Sequence, residues 1–176
     1  MGVDRVSLKD TGIICIFADG LIFIFYATFV PSVVSGIHWL ITVAAILFLV
    51  ALPTIYQPLH RPGRVAAKVV VGLIAAAMIT IIASDLFFTL SLFSGFEHDV
   101  TYTLGNAMFI ISIMALGVMA LRGVLFKWFG DLSILTGLVG VSTYIPGSPT
   151  FLPMISLILI GLWSLSLGFN VWKLAK

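Results

Sequence analysis

The chain alternates between long apolar segments and short polar connections. A bilayer core about 30 Å thick is crossed by about 20 residues of helix, and six segments reach or approach that length, the short fifth one ending at Pro146 and Gly147. Their apolar residues are continuous rather than alternating, which favours helices over the strands of a membrane β-barrel. The predicted helices cover residues 12–34, 37–56, 67–93, 102–125, 132–145 and 151–172.

The composition indicates that lipid surrounds these helices. Hydrophobic residues make up 61% of the chain and charged residues 9%, whereas a soluble domain carries about 25% charge. So few charged groups cannot cover a surface that faces water. The sequence therefore predicts an all-α polytopic transmembrane bundle, a single domain over residues 1–176. Asp19 interrupts the first apolar segment, so we interpret that segment as a retained helix rather than a signal peptide.

Basic residues predict the orientation of the bundle. Threading six helices from a cytoplasmic N-terminus places every lysine and arginine on the cytoplasmic side, and Glu97 and Asp99 on the other side. This is the positive-inside pattern, so we expect both termini in the cytoplasm. The basic residues are Arg5, Lys9, Arg61, Arg64, Lys68, Arg122, Lys127, Lys173 and Lys176.

Small residues four apart mark close helix packing in membranes. The clearest such row lies in the third helix and consists of Gly72, Ala76, Thr80 and Ser84. Two interpretations are open. The row holds the bundle together internally, or it forms a surface for a partner subunit.

Asp85 is the first candidate for chemistry within the spans. A charge at the bilayer centre is costly, so such residues usually face the bundle interior and often serve function. Asn106 and Tyr26 should lie at a similar depth, which predicts a polar cluster that opens outward and binds a cation or a polar group, or relays protons. The alternative is an aspartate that only holds the third and fourth helices together.

Asp19 is the second candidate within the spans and is also predicted to bind ligand. It lies about 10 Å from the cytoplasmic end of the first helix, at about 1.5 Å per residue. Trp163 and Ser164 should lie near its depth. In the alternative interpretation, Asp19 sits at the inner interface and faces Lys9 or Lys68. Asp85 lies towards the opposite face, so the two aspartates are not expected to share a proton.

Other chemistries find little support. His38 and His98 are weak candidates as ligands of a metal or a b-type haem, since both lie near the outer face and His98 is expected in a loop. Catalytic and phosphate-binding motifs of the common types are absent from the sequence. No basic run is present for nucleic acid. The sequence therefore predicts no cofactor, and no enzyme as the leading function.

Two short motifs carry a resemblance. The basic loop His60-Arg61-Pro62-Gly63-Arg64 and the stretch Trp128-Phe129-Gly130-Asp131 before a Gly-rich fifth helix resemble small, uncharacterised six-helix membrane proteins of prokaryotes. This resemblance implies the cytoplasmic membrane of a prokaryote and carries over no functional residue. Size and helix count are also similar to the substrate-capture subunits of modular vitamin transporters, which have longer outer loops than residues 31–36 here.

The sequence is consistent with two functions. The first is a protein that binds or transports a small ligand, with Asp85 and Asn106 in its polar lining. The second is a non-catalytic accessory subunit of a larger membrane complex, with the small-residue row of the third helix as its docking face. A membrane-embedded enzyme or haem protein comes third. The expected partners are the lipid bilayer and, for the second function, other membrane subunits.

Overall fold

A computed structural model describes residues 4–29, 39–59 and 64–175. Over these residues the chain is helical and contains no strand, which confirms the all-α prediction. A π-helical turn, Ala120–Val124, follows the fourth helix. The helices are α1 (Asp4–Phe29), α2 (Trp39–Leu59), α3 (Arg64–Thr89), α4 (Gly95–Met119), α5 (Lys127–Ser142) and α6 (Leu152–Ala175).

Five of the described helices, all except α5, are long and apolar enough to cross a membrane. They indicate a membrane-embedded protein. The exception, α5, has 16 residues and is about 24 Å long at 1.5 Å per residue. Its outer face is nevertheless apolar, because Leu135, Leu138 and Val141 are exposed there.

The start of α4 differs most from the sequence prediction. The helix begins at Gly95 rather than near Tyr102, because Ser94 and Glu97 form a capping box. The Ser94 backbone N–H donates to the Glu97 carboxylate at 2.8 Å, and the Glu97 N–H donates to the Ser94 hydroxyl at 3.4 Å. These bonds satisfy donors that a new helix otherwise leaves free. His98 therefore lies in the first turn of α4, and its expected position in a loop is wrong.

The helices form a closed antiparallel ring. Each helix packs against its neighbours in sequence, and α6 packs against α1. Residues near the start of one helix meet residues near the end of the next, as Thr42 on α2 meets Asp85 on α3. The same holds where the ring closes, since Ser164 in the second half of α6 meets Asp19 on α1. The contact between α6 and α1 thus closes the order of the helices.

Glycines set the closest approaches within the ring. A Cβ atom added to Gly20 on α1 would lie 2.8 Å from the carbonyl oxygen of Gly161 on α6. A Cβ atom on Gly105 of α4 would lie 2.8 Å from Ile81 Cγ1 on α3. Small residues at such contacts let helix backbones approach closely in an apolar solvent.

The predicted packing row of α3 comprises Gly72, Ala76, Thr80 and Ser84. Its two ends differ. Ser84 is buried against α4, and its hydroxyl donates to the His98 carbonyl at 3.1 Å. Gly72 is exposed, and a Cβ atom there would meet nothing within 4 Å among the described residues. The close approach to α4 lies instead at Ala77 and Ile81, which face Gly105.

Basic residues gather at one end of the ring, which we call the basic end. The antiparallel order brings together the starts of α1, α3 and α5 and the end of α6. The opposite end holds Asp85, Glu97, His98 and Asp99. The described basic side chains at the basic end belong to Lys9, Arg64, Lys68, Arg122, Lys127 and Lys173.

Candidate ligand-binding site

A pocket of about 280 Å³ lies at the centre of the ring. It occupies the half of the bundle away from the basic end, and we call that end the pocket end. Tyr144 and Pro153, which are exposed, lie on its rim. Five helices, α1 to α4 and α6, contribute to its lining, together with Thr143 and Tyr144, which follow the end of α5. Apolar lining residues include Phe23 of α1, Ile41 and Ala45 of α2, Met78 and Ile81 of α3, Phe109 and Ile110 of α4, and Leu157 and Ile160 of α6.

Four aromatic rings lie beneath the pocket, and we call them the aromatic floor. Trp163 is at their centre, with ring centroids 5.8 Å from Phe48, 5.9 Å from Phe109 and 6.0 Å from Phe129. The Trp163 indole N–H donates to the Ser133 hydroxyl at 2.8 Å, which satisfies its polar atom inside the core. Phe109 also lines the pocket. The floor thus lies between the pocket and the half of the bundle near the basic end.

Polar groups line the pocket above this floor. Tyr26, Tyr102 and Tyr144 contribute phenol rings, and Asn106 contributes an amide. Asn106 Nδ2 donates to the Tyr102 carbonyl oxygen at 3.1 Å. Thr143 and Ser156 are the remaining polar residues of the lining. A largely apolar cavity with a few polar groups is the usual form of a small-molecule site.

Asp85 lies next to the pocket rather than in its lining. It follows Ile81 of the lining by one helical turn, towards the pocket end. Its carboxylate accepts a hydrogen bond from the Thr42 hydroxyl and faces His98 Nε2 at 2.9 Å. The carboxylate also interacts electrostatically with Tyr26 and Tyr102. Asp85 therefore joins α2, α3 and α4 while placing a carboxylate beside the pocket.

The His98 imidazole bridges two carboxylates. Nε2 faces Asp85 at 2.9 Å, and Nδ1 lies 3.5 Å from Asp99, which is exposed. The ring centroid is 4.6 Å from that of Phe88 and 5.6 Å from that of Tyr102. Packing and hydrogen bonding thus hold this ring in one position at the mouth of the pocket.

The predicted cluster of Asp85, Asn106 and Tyr26 is placed around one cavity. Tyr26 and Asn106 line the pocket directly, and Asp85 reaches Tyr26 electrostatically. The direct partners of Asp85, Thr42 and His98, were not part of the predicted cluster. Ser94 and Glu97 carry the sequence signature of a capping box, which would have placed His98 on a helix and one turn from Tyr102.

Asp19 lies at about the depth of the aromatic floor, because it contacts Ser164, which follows Trp163 on α6. It is 1% exposed, and its Oδ2 accepts a hydrogen bond from the Ser164 hydroxyl at 2.6 Å. Its Oδ1 has no hydrogen-bond partner among the described residues. Phe23, one turn along α1, belongs to the pocket lining, so Asp19 lies about one turn below the pocket. Ten residues of helix, about 15 Å, separate it from Lys9.

Metal ligation is not indicated where the structure describes the chain. No group of three histidine, cysteine or carboxylate side chains there is arranged to hold a metal ion. His98 Nε2 is already engaged with Asp85. The other predicted candidate, His38, lies outside the described residues.

The arrangement provides groups of the kind that line small-molecule sites. Phenol and amide groups, aromatic faces and a nearby carboxylate surround one pocket, with the aromatic floor beneath it. The hydroxyl nearest the carboxylate, that of Thr42, is bonded directly to it rather than to the imidazole. No family model, curated protein or solved structure matches the chain.

Proposed function

We propose that this chain is a six-span membrane protein that binds a small ligand in the central pocket, as the capture or binding step of transport. The observation that carries the proposal is the cavity of about 280 Å³, lined by five helices and by the two residues that follow α5. Ligand pockets commonly measure about 300–1,000 Å³, so a small molecule is the expected occupant.

The proposed orientation places the basic end in the cytoplasm and the pocket end on the outer side. Lysine and arginine residues flank cytoplasmic helix ends preferentially, and the described ones lie at the end away from the pocket. The pocket would then collect its ligand from outside the cell. The aromatic floor keeps the ligand from continuing inward in this conformation, so release to the cytoplasm would require a second arrangement of the helices.

A pocket-filling variant tests ligand binding. Ser156 lines the pocket and is buried, so Ser156→Phe should occupy part of the cavity. Its neighbour Ile155 is exposed, so Ile155→Phe adds the same ring on the outside. We expect small molecules that raise the unfolding temperature of the wild type to stabilise Ile155→Phe equally and Ser156→Phe much less. Equal stabilisation of both variants would contradict the proposal.

The unfolding temperature can be followed through the native thiol. Cys15 is the only cysteine of the chain and is buried. A maleimide dye that fluoresces on reaction therefore reports unfolding of detergent-solubilised protein. A library of water-soluble compounds can be screened in this way without knowledge of the ligand.

An accessory subunit is the second candidate function, and the exposed Gly72 favours it. Open space around this glycine gives α3 a smooth outer face, flanked by exposed Val65, Val69 and Ile79. Such a face allows another helix to approach closely. Purification in mild detergent discriminates the two functions. A protein partner that is retained by the wild type and lost from Gly72→Leu supports the subunit.

A further inference from the structure

Charge around the pocket end is one-sided. The sequence contains no lysine or arginine in residues 10–60, 69–121 and 128–172, which include every residue that lines the pocket. The same end carries Asp85, Glu97 and Asp99, with His98 as the one described group that becomes cationic on protonation. Acidic side chains therefore predominate at this end, and no lysine or arginine of the described residues lies among them.

The pocket walls present aromatic faces to this negative region. Phe23, Tyr26, Tyr102, Phe109 and Tyr144 all belong to the lining. The face of an aromatic ring attracts a cation, and the attraction grows when the cation is removed from water. Aromatic walls of this type are known to bind ammonium groups, including quaternary ones that cannot donate hydrogen bonds.

Asp85 completes the arrangement. Its carboxylate lies one turn beyond Ile81 of the lining. It interacts electrostatically with Tyr26 on α1 and Tyr102 on α4, which both line the pocket. Thr42 and His98 hold it in place. A carboxylate fixed beside aromatic walls in an apolar medium stabilises a nearby positive charge more strongly than it would in water.

We infer that the ligand of the pocket is a small organic cation, such as a primary or quaternary ammonium compound. This inference rests on the proposed ligand-binding function and specifies its ligand class. The ammonium group lies near Asp85 between Tyr26 and Tyr102, and the apolar part of the ligand extends towards Phe109 and the aromatic floor. The cavity volume of about 280 Å³ restricts the ligand to a compact molecule.

The purely structural role of Asp85 makes a different prediction. If Asp85 only joins α2, α3 and α4 through Thr42 and His98, its charge has no effect on which molecules enter the pocket. Ligand charge should then not matter. The two interpretations are therefore separated by comparing ligands of equal shape and different charge.

The test uses matched probes on detergent-solubilised wild-type protein. Choline is paired with its neutral isostere 3,3-dimethylbutan-1-ol, and benzylammonium with benzyl alcohol. The anion 3,3-dimethylbutanoate completes the choline series. Binding is measured by titration calorimetry and by the dye assay on Cys15. We expect each cation to bind about tenfold or more tightly than its neutral partner, with the anion weakest.

Two variants assign the preference to Asp85. Asp85→Asn keeps the size of the side chain and removes its charge, and it should bring each cation and its neutral partner to within about twofold of each other. Asp99→Asn removes a carboxylate that is 84% exposed at the same end, and it should retain most of the preference. If Asp85→Asn does not accumulate, the relative affinities of the wild type for cation, neutral compound and anion still test the inference.

Three results would overturn the inference. They are equal binding of cations and neutral isosteres by the wild type, tightest binding of the anion, and an undiminished cation preference in Asp85→Asn. Failure of all the cationic probes also overturns it. In that case, a compound from the library that binds the wild type and not Ser156→Phe would show that the pocket still serves ligand binding, so the two proposals fail separately.

Discussion

Asp19 shows how a single carboxyl group is accommodated inside an apolar bundle. It lies between α1 and α6, with the Ser164 hydroxyl as its hydrogen-bond donor and no described partner for Oδ1. A buried charge is costly unless it is paired and hydrogen-bonded. No described lysine or arginine forms an ion pair with this carboxyl group. The site therefore accommodates a neutral group at lower cost than a charged one.

Replacing Asp19 by asparagine should be tolerated. The amide oxygen can accept the Ser164 hydrogen bond, and no charge remains to be buried. We expect Asp19→Asn to unfold at the wild-type temperature or above it, as followed with the dye on Cys15. Ser164→Ala removes the donor and should cost about 1 kcal/mol. A large loss of stability in Asp19→Asn alone would show that the negative charge itself is required.

For single residues, the sequence predicts the depth of a polar side chain in the bundle better than it predicts the partners of that side chain. Helical spacing is enough to expect Ser164 near Asp19, and Tyr26 and Asn106 near the level of Asp85. It does not show which way each side chain points around its helix, because membrane helices here are apolar on all sides. The apolar pattern of α2 therefore gives no sign that Thr42 is the partner of Asp85.

Among the elements, α4 depends most on its first turn. The capping box of Ser94 and Glu97 starts the helix before His98 and so places the imidazole against Asp85. Without that cap, the first turn would lose a side-chain acceptor for its free N–H groups. The geometry at the pocket mouth is thus coupled to a local feature outside the pocket.

Removing the cap should loosen this turn. Ser94→Ala should cost about 1 kcal/mol, the usual effect of losing an N-cap. We expect faster amide hydrogen exchange over residues 95–101, measured by mass spectrometry, with no change in α6. Ser94→Thr retains a hydroxyl and serves as the matched control. Unchanged exchange in Ser94→Ala would mean that packing alone holds the first turn.

Two glycines provide a matched test of helix packing. A Cβ atom on Gly161 would lie 2.6 Å from Ile24 Cγ1 and 2.8 Å from the Gly20 carbonyl oxygen, whereas one on Gly72 would meet nothing. Gly161→Ala should therefore lower the free energy of unfolding by about 1–3 kcal/mol. Gly72→Ala should be neutral or stabilising by up to about 1 kcal/mol, because alanine favours helix.

The dye assay on Cys15 measures both variants under the same conditions. Equal stability of Gly161→Ala and Gly72→Ala would contradict the described contact between α1 and α6. The comparison also shows why a row of small residues was an incomplete guide. A spacing of four places Gly72 and Ser84 in one row, but at 3.6 residues per turn that row rotates by about 120° around the helix between them. Its two ends therefore face different surroundings.

For the whole molecule, the separation of charges is the main sequence-level signal. Apolar segments and basic connections were sufficient to predict six helices and to group the lysines and arginines. The closed order of the ring could not be predicted in this way. It depends on contacts such as that of Gly20 with Gly161, which join residues far apart in the sequence.

The proposed topology requires the short α5 to cross the bilayer. Single cysteines can be introduced separately into a Cys15→Ala background at Lys127, the first residue of this helix, and at Thr150, which follows it. An impermeant maleimide should label them from opposite sides of the membrane. Lys127→Cys should share its side with Arg64→Cys, and Thr150→Cys should share its side with Asp99→Cys. Labelling of Lys127→Cys and Thr150→Cys from one side would exclude six spans.

The aromatic floor has an electrical consequence. In the proposed orientation, the packed rings of Trp163 and its neighbours at the base of the pocket would let the pocket open to one aqueous side without dissipating the ion gradients that a cell maintains. A cation bound in the pocket would then have crossed part of the transmembrane voltage. A full crossing is worth about 2.3 kcal/mol per charge per 100 mV. A potential that is negative inside would therefore increase the affinity of the pocket for such a ligand.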